Sequence, residues 1–100
     1  MAREHLKYFW EAYRRQQKFE VDTPLGVVVI HGPDVLAKFM RVSYQTIKCY
    51  LSTGTEWQRL SSSLDFSVTD ELRELGDAIG HWDTPAVVTI RRVQEVNSGE

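Results

Sequence analysis

Apolar residues recur at helical spacing at the start of the chain, where Leu6, Phe9, Trp10 and Tyr13 form an aromatic stripe among Arg3, Lys7, Arg14, Arg15 and Lys18. This spacing predicts an amphipathic helix over residues 3–19, with the stripe sealing one side of a core or serving as a partner surface. Thr23-Pro24 interrupts the pattern. The run LGVVVI at 25–30 then has the β-branched composition of a buried strand, closed by His31-Gly32-Pro33. Pro33 suits the first turn of a helix, and Leu36, Ala37, Phe39 and Met40 give that helix a short apolar face. Arg41-Val42-Ser43 turns the chain, and Ser43 is placed to cap a second helix over 44–51 that ends near Gly54. Ile47, Tyr50 and Leu51 face inward in this reading. Ser61-Ser62-Ser63 marks a loop. Val68, Leu72, Leu75 and Ile79 then predict a third amphipathic helix, capped by Ser67 or Thr69, stopped by Gly80 and coated by Asp70, Glu71, Glu74 and Asp77. Two of those acids fall in the first turn, where they complement the helix dipole. Alternation over 86–94 predicts a second strand beside the first, with one partly wet face.

Composition sets the outer limits. One hundred residues fit one compact domain with a modest core, spanning residues 1–96 with a frayed tail at 97–100. No apolar run approaches a membrane span and the N-terminus lacks a signal peptide's clean apolar segment, so a cytoplasmic protein is expected. Cys49 stands alone, which rules out an internal disulfide and a zinc-finger spacing, and its residue type favours a small buried apolar role. His5, His31 and His81 are scattered, no serine has a nucleophile-elbow context, and neither an EF-hand spacing nor a glycine-rich phosphate loop occurs. No catalytic residue, metal or cofactor is therefore expected. The net charge is −2, but residues 1–60 carry nine Lys and Arg against six Asp and Glu, whereas residues 61–100 carry three against eight. A nucleic-acid face would belong to the first sixty residues.

Within them, LAKFMRVSYQTIKCYL resembles the helix-turn-helix superfamily of DNA-binding proteins, including small phage and bacterial regulators and excisionase-like factors. The resemblance spans residues 33–52. It rests on Ala37 as the small residue that lets the second helix cross closely, on apolar Leu36, Met40, Val42 and Ile47, and on the polar opening Ser43, Tyr44, Gln45, Thr46. Arg41 stands where that superfamily commonly has Gly, so it is expected to accept a left-handed backbone. Tyr50 stands where a smaller aliphatic residue is usual. The resemblance implies a helix-turn-helix over these residues, and with the elements read from the pattern, an N-terminal amphipathic helix, an acidic third helix and a two-stranded β element, the expected fold is a small α+β helix-turn-helix domain.

It further implies sequence-specific binding of double-stranded DNA by a small transcriptional or phage regulatory protein. The helix over 44–51 would enter the major groove, with Gln45 pairing to adenine, Thr46 meeting thymine methyls or phosphates, Lys48 approaching guanine or backbone, and Ser43 and Tyr44 beside them. Arg41 and Arg59 would reach phosphates. One such module gives little affinity, so a homodimer on a two-fold site is expected, paired through Phe9, Trp10 and Tyr13 or through the second strand. The rival expectation is a protein–protein interaction module or small inhibitor of a host or regulatory protein. It draws on the supply of Tyr8, Phe9, Trp10, Tyr13, Tyr44, Tyr50, Trp57 and Trp82, residue types that interfaces favour.

Overall fold

A computed structural model describes residues 17–93. Strand β1 (Lys18–Thr23) turns into β2 (Gly26–His31), and helix α1 (Pro33–Met40) is followed by α2 (Tyr44–Thr53). Strand β3 (Glu56–Leu60), two short 3-10 turns, helix α3 (Asp70–Ile79) and strand β4 (Val87–Val93) complete the order. The strands form one antiparallel sheet in the order β2-β1-β4-β3, with the helices on one side, which makes a small α+β fold. No helix of the described residues is long and apolar enough to cross a membrane.

The aromatic helix expected over 3–19, with Phe9, Trp10 and Tyr13, lies outside the described residues up to position 16. Its expected end is overturned, because Lys18 and Phe19 belong to β1. From Lys18 onward the period is two: Phe19, Val21 and Thr23 are buried while Lys18, Glu20 and Asp22 alternate with them. The turn back into β2 is held by Thr23, whose hydroxyl donates to the Gly26 carbonyl at 2.8 Å and accepts from the Leu25 amide at 3.2 Å. Gly26 takes φ +150°, which a side chain would resist.

Strand β2 is where expected but is not buried. Among the described residues it is a sheet edge, with Val27 54% and Val29 39% exposed, because the described helices cover only the other face. Nor does the last strand lie beside it. β1 separates them, pairing Val21 with Val28 on one side and with Ile90 on the other. The two-stranded element is thus a four-stranded sheet, enlarged by β1 and by β3, whose Trp57 pairs with Ile90.

One core joins the layers. Phe19, Val21, Ile30, Val88 and Ile90 from the sheet meet Leu36, Phe39, Met40, Ile47 and Leu72 from the helices. Each such side chain contributes about 1.5–3 kcal/mol by leaving water. Thr69 caps α3 by accepting from the Leu72 amide at 3.2 Å, and Leu72 and Ile79 are buried while Asp70, Glu71, Glu74 and Asp77 remain exposed, as expected. Gly76 is pressed against the Phe66 ring so closely that an added Cβ would stand 2.8 Å from its Cγ. On the open face of the sheet, Arg91 donates to Glu20 at 3.3 Å and to Asp22 at 3.3 Å, with Glu56 at 3.9 Å. The Glu20 contact first, then Asp22 and Glu56, holds the Arg91 guanidinium even more firmly protonated than usual.

Candidate nucleic-acid interface

Helix α1 leaves the sheet at Gly32, where φ is +90°, and begins with Pro33, so the missing amide hydrogen falls where the helix has no partner for it. Its end is a left-handed cap. Arg41 has φ 58° and ψ 43°, its amide donates to the Lys38 carbonyl at 3.2 Å, and the Val42 amide donates to the Ala37 carbonyl at 3.0 Å. Ser43 then opens α2, its hydroxyl accepting from the Thr46 amide at 3.1 Å. Replacing Arg41 by Gly should stabilise the fold by about 1 kcal/mol, since a Cβ is disfavoured in this conformation. Denaturant unfolding checks this, and an unchanged or lower midpoint would show that contacts of the Arg41 side chain outweigh the backbone term.

Ile47 is fully buried and pins α2 to the core, with Tyr50 and Leu51 half-buried beside it, as expected. The Leu51 carbonyl accepts from Arg92 Nη1 at 3.2 Å, which ties the far end of α2 to β4. The outer side carries Gln45 and Lys48, both exposed, flanked by half-exposed Tyr44 and Thr46. Lys48 Nζ sits 5.7 Å from the Tyr44 ring centroid. The Ser43 and Thr46 hydroxyls lie 3.0 Å apart and bond to each other, so both side chains belong to the cap that opens α2.

Cys49 is exposed, against the expectation of a buried residue. The reason is helical geometry: two positions from Ile47 is about 200° around the helix axis, so inward Ile47 sends Cys49 outward. Arg59 lies in β3, next to α2 but turned to support it. Its Nη2 donates to the Tyr50 hydroxyl at 3.0 Å and its Nη1 to the Gln58 carbonyl at 2.7 Å. Tyr50 in turn stacks on Trp57 with ring centroids 6.1 Å apart, so the large ring in place of an aliphatic residue wedges α2 against β3. Arg41 is exposed at the bend and near Asp65, whose carboxyl is held below its usual range by the Ser67 hydroxyl and amide, with the Arg41 charge adding to the effect.

The structure therefore brings Ser43, Tyr44, Gln45, Thr46 and Lys48 onto one short helix, places Arg41 at its entrance and puts Arg59 beneath it. Residues 35–55 contain no Asp or Glu but do contain Lys38, Arg41 and Lys48, and Lys38 is exposed on α1. In a chain with fourteen acidic residues, that gap keeps carboxylates off α2 itself, while Asp65 from the loop after β3 lies near Arg41 at the bend. Among the described residues, no group of three His, Cys, Asp or Glu is placed to hold a metal ion. Comparison with protein-family models, with curated proteins and with solved structures gives no match.

Proposed function

We propose that this chain is a sequence-specific DNA-binding protein of helix-turn-helix type, a small transcriptional or phage regulator, with α1 and α2 as the motif and α2 as the helix that enters the major groove. The carrying observation is the outer face of α2, where exposed Gln45 and Lys48 stand with half-exposed Tyr44 beside Lys48 and half-exposed Thr46 on the opposite flank, on a segment whose own sequence has no carboxylates. Gln45 has the paired donor and acceptor that adenine requires, the Thr46 methyl suits a thymine methyl, and Lys48 and Arg41 supply charge for guanine or phosphate. Lys38 on the preceding helix adds a phosphate contact. Arg59 acts through Tyr50, as a positioning residue for α2. A net charge of −2 makes such binding depend on this local face and not on the whole surface.

The test is binding to a mixed-sequence duplex pool, followed by fluorescence anisotropy between about 50 and 200 mM salt. Wild-type affinity should fall steeply with salt, and Lys48→Ala should reduce the slope of log K against log salt by about one. A folded wild-type protein that fails to bind at the lowest salt would overturn the reading and redirect attention to a protein partner.

A further inference from the structure

From the edges of the sheet we infer that β2 is the seam of a homodimer, in which β2 of one copy pairs antiparallel with β2 of another to form a continuous eight-stranded sheet. The two edges of this sheet differ in kind. β3 is short and carries Glu56, Gln58 and Arg59 among its five residues, features that blunt an edge against further pairing. β2 is one residue longer and differs in chemistry. Its sequence is GVVVIH, without Pro, Lys, Arg, Asp or Glu, and Val27 and Val29 project from the open face.

Such a strand is complementary to itself. A two-fold axis perpendicular to the sheet sets outward-facing Val27 and Val29 of one copy beside those of the other, with half-buried Val28 on the helix side in both, and opposes no like charges. The same axis leaves the helices of both copies on one side of the joined sheet. Of the carboxylates that hold Arg91, Glu20 and Asp22 stand on β1 directly opposite Val29 and Val27, one strand in from the seam, where Arg91 offsets their charge, and Glu56 lies farther off on β3.

The strand order then fixes how far apart the two α2 helices stand. With strands spaced about 4.8 Å and the axis just outside β2, the two copies of β4 lie about 24 Å apart and the two copies of β3 about 34 Å apart. α2 is tied to both strands, to β4 through Arg92 and to β3 through the Tyr50–Trp57 stack. Its two copies thus approach the separation of about 34 Å between successive major-groove faces on one side of a duplex. The seam stands on β2 alone, while its bearing on paired half-sites rests on the proposed DNA binding by α2. The expected pairing through the last strand is not available, because β4 is internal to the sheet.

The experiment is light scattering after gel filtration of the full chain at tens of micromolar, under reducing conditions because exposed Cys49 could otherwise crosslink two copies. Wild type should run at twice the chain mass. Val29→Lys should weaken the dimer at least roughly tenfold by setting like charges across the seam, with an unchanged circular dichroism spectrum. Val87→Lys, on the same open face at 55% exposure but on internal β4, should remain dimeric. A monomeric wild type, polymers beyond the dimer, a dimeric Val29→Lys or dissociation by Val87→Lys would each overturn the seam. Lys48→Ala should keep the dimer mass. A dimer that does not bind DNA would remove the functional reading and leave the seam, and a monomer that binds DNA would do the reverse.

Discussion

Replacing Phe39 by Ala is expected to remove about 3–5 kcal/mol of stability, the cost of losing a buried aromatic ring together with the cavity it leaves. Phe39 is fully buried in α1 and meets Phe66 edge-on, with centroids 5.3 Å apart and ring planes at 89°. Its carbonyl also accepts from the Asp65 amide at 2.8 Å, so the loop after β3 closes over the end of α1 at this residue. The hole has one ready source of repair, a shift of the Phe66 ring off Gly76. That ring is already lodged against the glycine, and a shift would trade one void for another. A domain of this size has about 5–15 kcal/mol in all, so the variant should melt roughly 15 °C or more below wild type. Thermal denaturation followed by circular dichroism measures it. A loss under about 1 kcal/mol would mean that the α1–Phe66 contact is not part of the folded core.

The helices were legible because each is signed locally. Pro33 starts α1, Ser43 caps α2, Thr69 caps α3, and the inward residues Leu36, Ala37, Phe39, Met40 and then Ile47, Tyr50, Leu51 keep the helical period. The sheet was not, because its order is set by partners far apart in sequence. β1 continues from an aromatic stripe that reads as helix, and only Phe19 and Val21 among its six residues are apolar. β3 has no β-branched residue and half-buries Trp57 and Arg59. In β2, a run of four apolar residues gave no sign that only one face would be covered. The same division holds at the site. The exposure of Gln45, Lys48 and also Cys49 follows from helical spacing once Ile47 is inward. The role of Arg59 depends on β3 folding back beside Tyr50, and the Arg91 cluster gathers residues 20, 22, 56 and 91 that only the sheet brings together.

Substituting Gln45 and Lys48 together by Ala is expected to lower affinity for the best duplex selected from a random pool by roughly a hundredfold, with the melting temperature close to wild type. The two effects separate because the residues stand on the side of α2 that the fold does not use. Both are exposed, Ala has a helix propensity at least as favourable as theirs, and the contact of Lys48 with the Tyr44 ring is worth only about 0.5–1 kcal/mol at the surface. On DNA the balance reverses. A bidentate pair to adenine contributes about 1–3 kcal/mol of discrimination, and the lost cation removes a further, salt-dependent share, which together correspond to about two decades in affinity. Gln45 and Lys48 are three residues apart on one face, so the double variant can fall short of the sum of the singles, and measuring all three closes the cycle. Site selection adds a second readout, since loss of Gln45 should relax preference at one base position while loss of Lys48 weakens binding across sequences. Affinity unchanged in the double variant would move DNA binding off α2. Affinity and melting temperature falling together would make this face part of the scaffold, leaving the carboxylate-free segment without the function proposed for it.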